Sequence, residues 1–196
     1  MKIESYSFPE SSFLSVEKDF NKLFNLIDKN DRLKKLLYYD TNDCLDNHNL
    51  PNVSLNDLVK NNKLRIVPRY KINGELYSGL IVKPNGFSPN GTNPEFRNNV
   101  IEFDYICHFD HWVLKDFQLR VIRVAAEIDT LLSEERLTGI GKVEFMGAEP
   151  IEINDDYGGI CILYQVIHGD EDKVKSLDPK TNEDLIENFN KMFNNK

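Results

Sequence analysis

The segment from Val100 to Asp110 constrains the fold most strongly, because apolar and largely polar side chains alternate along it. Its apolar series is Ile101, Phe103, Tyr105, Cys107 and Phe109. A period of two predicts a β-strand with one apolar face and one largely polar face. Strands of this kind are typical of antiparallel sheets that bury one face.

The next segment predicts the best-formed helix of the chain. Asp116 is the expected N-cap residue. The apolar stripe of this helix consists of Phe117, Val121, Val124, Ile128 and Leu131. Its polar stripe consists of Asp116, Arg120, Arg123 and Glu127, in which Arg123 and Glu127 have the spacing of a surface ion pair. We expect this helix to pack against the sheet as the main core helix.

Two further runs before this strand are rich in β-branched and aromatic residues, namely 63–72 and 75–84. Asn73-Gly74 separates them, which predicts an antiparallel hairpin. Pro68 removes a backbone donor and places the first strand at an edge or at a bulge. The alternating basic residues of this run favour a charged edge strand that resists aggregation. They are Lys63, Arg65, Arg69 and Lys71.

Segments 141–147, 150–154 and 158–169 predict the last strands, separated by Gly147 and by a turn at 155–158. Helical patterns lie at both ends of the chain. The first opens at Ser15 and is interrupted at Asn30 and Asp31. Ser54 and Asp57 then predict a capping box at the start of a short helix. A C-terminal helix is expected after Thr181. The predicted class is therefore α+β: an antiparallel or mixed β-sheet packed against one long helix, with extra N-terminal helices and a C-terminal helix. We divide this single domain into an N-terminal helical region (1–62), an α+β core (63–170) and a C-terminal polar tail or helix (171–196).

The segment between Pro84 and Asn99 contains three Gly or Pro turn clusters and predicts a long loop. Loops of this length are often functional or become ordered against a partner. The interface candidates in or beside this loop are Phe87, Pro89, Asn93, Phe96 and Arg97. Trp112 is either an interface anchor or a core residue. Phe189 and Phe193 on the C-terminal helix complete the candidate set, because that helix either docks on the body or binds a partner.

Charge and cysteine content exclude several classes of protein. The chain has 32 acidic and 24 basic residues, a net charge of −8, which argues against a dedicated nucleic-acid binder. Three widely spaced cysteines form neither a disulfide framework nor a metal half-site and fit a reducing cytosol. No signal peptide and no apolar run of membrane-spanning length is expected.

Four side chains are weak candidates for metal ligands: His108, Asp110, His111 and His168. They could converge on a zinc or manganese ion if their two strands were neighbours. The alternative is that they are solvated or interface polar residues. Nucleophile elbows and phosphate-binding glycine motifs are absent from the sequence. We therefore expect a protein that is not an enzyme and that carries no cofactor.

The order of elements from about Asn93 to Asp172 resembles the tail-terminator or neck proteins of long-tailed bacteriophages. The resemblance rests on the extended segment NPEFRNNVIEFDYICHFDHW, the helix DFQLRVIRVAAEIDTLL, the strand segment GIGKVEFMGAEPI and the closing strand GGICILYQVIHGDED. It implies a structural virion protein that forms a ring, commonly a hexamer, which caps the tail tube and joins it to the head.

The partners implied are further copies of the chain, the tail tube and head-tail connector proteins, with no membrane and with DNA only passing through the lumen. The implied location is the virion tail or neck, and the host cytoplasm during assembly. A different connector, stopper or tube protein remains an alternative. Two further alternatives are a small metal-dependent enzyme and a regulatory protein that binds another protein through the C-terminal helix.

Overall fold

A computed structural model describes residues 12–67, 78–91, 96–133, 135, 137 and 142–168. The helices in this part of the chain are α1 (Ser12–Lys29), α2 (Asp31–Tyr38), α3 (Leu55–Lys60) and α4 (Arg120–Leu132). The strands are β1 (Leu64–Arg65), β2 (Ser78–Pro89), β3 (Arg97–His108), β4 (Glu144–Glu152) and β5 (Tyr157–His168). Two 3-10 turns, Phe109–His111 and Lys115–Phe117, connect β3 to α4. The predicted α+β class is confirmed.

The five strands form a mixed sheet in the order β1-β2-β3-β5-β4, so β1 and β4 are the edge strands of the described sheet. Three of the four pairings are antiparallel, and β1 pairs with β2 in parallel. The predicted antiparallel pairing is therefore wrong for Leu64–Arg65, which lie beside Leu80 and Ile81. The predicted turn at Asn73-Gly74 and the proline at position 68 lie outside the described residues.

The predicted loop between Pro84 and Asn99 is mostly β-structure, so this prediction is wrong. β2 continues to Pro89 and β3 begins at Arg97. The register shifts between Pro84 and Gly86, and this bulge accommodates a proline that cannot donate to the ladder. The amide of Asn90 then donates to the carbonyl of Phe96 at 2.9 Å, which closes the connection.

Local capping residues place two of the N-terminal helices, and one of these caps is the predicted one. The side chain of Asn30 accepts a 2.9 Å hydrogen bond from the amide of Leu33 and so begins α2. Ser54 and Asp57 form the predicted capping box of α3. α1 begins at Ser12 and not at Ser15, which adds the turn whose Phe13 ring packs on Phe87 at 4.9 Å.

α4 begins at Arg120, so the predicted N-cap at Asp116 is wrong. Asp116 has a positive φ of 56° in the second 3-10 turn, and Phe117 is 93% exposed. The amide of Leu114 donates to the carbonyl of Gln118 at 2.8 Å, which forms a tight turn before the helix. Arg120, assigned to the polar stripe, is fully buried.

The predicted surface pair between Arg123 and Glu127 is replaced by a tertiary contact. Glu127 accepts a 2.8 Å hydrogen bond from Nε of Arg32 on α2. A second hydrogen bond, from the side chain of Asn30, is 3.2 Å long. These contacts attach α4 to the start of α2.

The helices cover one face of the sheet and enclose the main core. The apolar series predicted for β3 is buried there from Ile101 to Cys107, with Val121, Val124 and Ile128 of α4 packed in the same cluster. α1 and α2 contribute to the same cluster through Leu23 and Leu37. The sequence predicts a polar opposite face, but a small second core lies there, formed by Ile81, Ile106 and Tyr157.

The last strands differ from the prediction in one respect. β4 is continuous through Gly147, where the register shifts, and is not two short strands. Asn154 accepts hydrogen bonds of 3.0 Å from the amides of Asp156 and Tyr157, and this turn leads into β5. The predicted C-terminal helix lies outside the described residues. No helix in the described ranges has the length and apolar character needed to cross a membrane.

Candidate assembly interface

A larger share of the residues of β4 is exposed to solvent than of β2, β3 or β5. Within the described sheet it pairs only with β5, so its outer edge presents backbone donors and acceptors to a neighbour. Phe145 and Met146 sit at the bulge of this edge, and their exposed fractions are 58% and 53%. Long edge strands with exposed apolar side chains are sites of association between chains.

The same edge is acidic. Between positions 144 and 156 the chain carries five acidic residues and no basic one. These residues, all exposed, are Glu144, Glu149, Glu152, Asp155 and Asp156. The β4 edge and the turn that follows it therefore combine two exposed apolar side chains with a strongly negative surface.

The opposite edge, beside β1, is apolar and concave. A cleft of about 710 Å³ opens there between α1, α3 and β1, and its walls include Phe24, Leu55, Val59 and Ile66. Val59 and Ile66 are more than half exposed. Positions 54–67 carry three basic residues, Lys60, Lys63 and Arg65, and one acidic residue, Asp57. Lys60 is exposed at the end of α3.

Trp112, predicted as an anchor or a core residue, is half-buried and lines two adjoining clefts. The larger, of about 780 Å³, runs from Phe109 to the β4–β5 turn, and the smaller, of about 240 Å³, lies between α4 and Pro150. The rings of Phe109 and Trp112 meet edge to face at 5.3 Å. Leu119 and Ile122 beside the smaller cleft are about half exposed. Aromatic residues in such clefts are common anchors for partner chains.

The other interface candidates are dispersed. Phe87 is half-buried against Phe13, while Pro89 is exposed at the end of β2. Phe96 and Arg97 are partly buried at the start of β3. The candidates Asn93, Phe189 and Phe193 lie outside the described residues.

The structure does not bring the four metal-ligand candidates together. β3 and β5 are neighbours, but they are antiparallel, so His168 lies opposite Arg97 while His108 lies at the far end of β3. The two ends of β3 are eleven positions apart, which is about 36 Å of extended chain. Nε2 of His168 instead lies 2.7 Å from Oδ2 of the buried Asp19 on α1.

His108, Asp110 and His111 do remain close together. Nδ1 of His108 accepts from the amide of Asp110 at 3.1 Å, and the two imidazole rings are 6.0 Å apart. Burial lowers the pKa of His111 despite the opposing effect of Asp40. Nδ1 of His111 lies 3.6 Å from Oδ1 of Asp40. Because His111 favours its neutral form, it is a weak ion-pair partner for this carboxylate.

Asp40 has stronger partners in the same region. Nζ of Lys63 donates to both oxygens of Asp40 at 2.9 Å. Oγ of Ser78 donates to Oδ1 at 2.6 Å. The carboxylate is therefore neutralised by a cation and fixed by a hydroxyl, which is a structural arrangement that links β1 and β2 to the loop after α2.

Sequence reasoning missed a charged cluster on the second face of the sheet. Nζ of Lys83 lies 2.8 Å from a Glu102 oxygen and 2.7 Å from Asp104. Ligand atoms of Glu102, Asp104 and Cys161 lie within 4.8 Å of one another, a spacing that suits a metal ion. The ammonium of Lys83 already contacts both carboxylates, so a metal cation would have to compete with it.

The electrostatics of this cluster follow from burial. Burial alone would lower the pKa of Lys83, but its hydrogen bonds to Asp104 and Glu102 outweigh burial and raise that pKa. Burial raises the pKa of Asp104, with Lys83 opposing and Glu102 adding to the rise. Burial and the two carboxylates raise the pKa of the Cys161 thiol to about 12. The thiol is therefore protonated at neutral pH and is a poor nucleophile.

Strand alternation put Glu102 and Asp104 on one face, but only the pairing of β2 with β3 brings Lys83 to them.

The model of the YomW family matches residues 30–166, which is more than half of the chain. The chain belongs to the YomW family. YomW is a phage-derived family, associated with the yom region of SPbeta-like Bacillus phages, and membership points to a phage protein. The matched segment runs from the N-cap of α2 into β5, so it includes both edge strands and both clefts beside Trp112. No curated protein matches the chain.

Proposed function

We propose that this YomW-family chain is a structural protein of a tailed phage. In this proposal it assembles into a ring that caps the tail tube and joins it to the head, as the resemblance to tail-terminator proteins implies. The observation that carries the proposal is the state of the two sheet edges. Exposed apolar side chains lie at both edges: Phe145 and Met146 on β4, and, on the other side, Ile66 directly after β1 with Val59 on the adjoining α3. Exposed apolar side chains grouped in this way are typical of surfaces that bind another chain.

The charged clusters support a structural role. Lys83 is paired with two carboxylates, and Asp40 with Lys63 and Ser78, so these groups hold strands together. Cys161 is protonated beside the first cluster because of its raised pKa. The net charge of −8 also suits a ring through which DNA must pass without being retained.

A stop codon in the gene within its phage tests the proposed role. The lysate is then viewed by negative-stain electron microscopy, with a wild-type copy supplied in trans as the control. A terminator is required both to end the tail and to join it, so we expect unjoined heads together with tails of irregular length. Tails of uniform length beside emptied heads would indicate a connector or stopper, and normal virions would contradict a structural role.

A further inference from the structure

We propose that successive copies of the chain join head to tail through the two opposite edges of the sheet. Phe145 and Met146 on β4 of one copy occupy the cleft beside β1 of the next copy. This inference rests on the proposed ring and specifies its contact. It commits to a second copy of the chain as the occupant of the cleft.

Shape and polarity favour this pairing. Phe145 and Met146 on β4 are both more than half exposed, and the Phe145 ring is held at 5.6 Å from the ring of Tyr164 with its outer side open to a neighbour. The cleft of about 710 Å³ beside β1 has the volume for two such side chains and has apolar walls at Leu55, Val59 and Ile66. Association would remove apolar surface from water on both copies at once.

Charge decides between two ways of using the β4 edge. If two β4 edges met, Glu144, Glu149 and Glu152 of both copies would face each other, and like charges in contact oppose association. Lys63 on the β1 side is already paired with Asp40, but Lys60 at the end of α3 is exposed, and the acidic β4 edge of the next copy would face it there. Electrostatic complementarity therefore favours a contact between different edges.

The topology makes this contact heterologous. β1 and β4 are the first and fifth strands of the sheet, so the two surfaces lie about 19 Å apart across it. A contact between different surfaces leaves each copy with one used and one open surface. Repetition then produces a ring when the rotation between copies closes.

The apolar part of the contact is tested with Phe145→Ser in the full chain. Light scattering over a concentration series should show the concentration for half-assembly raised at least about tenfold, because an exposed apolar anchor is lost. Phe117→Ser is the matched control, since Phe117 is 93% exposed but lies on neither edge. Far-UV circular dichroism verifies that both variants are folded.

The direction of the contact is tested by charge reversal. Glu144→Lys/Glu149→Lys places lysines opposite the basic side, and Lys60→Glu places a carboxylate opposite the acidic edge, so each variant alone should assemble poorly. An equimolar mixture should recover assembly, because each edge then meets an opposite charge. Wild-type rings that are insensitive to Phe145→Ser and to both reversals would overturn the head-to-tail contact and leave the proposed function standing. A wild-type chain that stays monomeric alone and with tails would count against the proposed function itself.

Discussion

Arg120 and Tyr39 are 81 positions apart, yet Nη1 of Arg120 donates a 2.7 Å hydrogen bond to the carbonyl oxygen of Tyr39. The same guanidinium donates to the carbonyls of Leu36, Thr41 and His111 at 2.8, 2.6 and 2.8 Å. Arg120 is fully buried, and it satisfies carbonyl groups at the C-terminal end of α2, where a cation is favourable. It therefore joins α4, α2 and the first 3-10 turn.

Replacing Arg120 by methionine should lower the free energy of unfolding by about 3–5 kcal/mol, because four carbonyl groups would lose their buried donor. Urea titration measures this change. Arg123→Met, on the exposed face of the same helix, is the control and should change stability by less than about 0.5 kcal/mol. Equal effects of the two substitutions would show that the buried guanidinium does not hold these elements together.

Removal of the Asp19 carboxylate should loosen α1. Asp19→Ala leaves Nε2 of His168 and the side-chain amide of Asn99 without this buried acceptor, at a cost of about 2–4 kcal/mol. Hydrogen exchange of the α1 amides should accelerate more than exchange in β3. Glu17→Ala, at an exposed position of α1, should leave the exchange pattern unchanged. Unaltered protection of α1 in Asp19→Ala would contradict the role of this contact.

Lys83→Met should destabilise the sheet by about 2–4 kcal/mol at pH 7, because it leaves two carboxylates side by side. Burial already raises the pKa of Asp104, and loss of Lys83 removes the main opposing effect. Protonation of Asp104 below its raised pKa relieves the repulsion, so the loss of stability should be smaller at pH 5 than at pH 7. Urea titrations at both values test this, with exposed Lys29→Met as control. A loss of stability that is larger at pH 5 than at pH 7 would contradict this account of the cluster.

The Cys161 thiol should resist alkylation in the native protein. Its pKa is raised from 9.0 to about 12, so at pH 8 iodoacetamide should modify it at least about 100-fold more slowly than in urea. Glu102→Gln removes one cause of the rise and should speed the reaction. The native state keeps the proton between pH 9 and about 12, so this thiol should lower the free energy of unfolding as pH rises through that range. Rapid native alkylation at Cys161, followed by mass spectrometry, would contradict the burial and charge argument.

Local signals in the sequence were sufficient where neighbouring residues determine the structure. Alternation along β3 identified the buried face from Ile101 to Cys107, and the Ser54–Asp57 pair identified the start of α3. The bulge at Pro84 was not predicted, since a turn-rich composition is typical of loops and only pairing with β3 maintains the strand.

Contacts between distant segments could not be predicted in the same way. Helical periodicity put Arg120 on a polar stripe, because the carbonyl groups that receive it belong to residues about 80 positions away. The Lys83 cluster and the separation of His168 from His108 both depend on strand order and direction. The identity of the two edge strands also depends on strand order, because a strand lies at an edge only when the other strands pair elsewhere.

The mass of the full chain in solution, measured by light scattering over a concentration series with and without purified tails, tests ring assembly most directly. We expect a discrete oligomer, a hexamer by the tail-terminator resemblance, either free or formed at the tail end, and negative-stain images should show a closed ring. A monomer at every concentration that also fails to bind tails would contradict assembly through the two sheet edges.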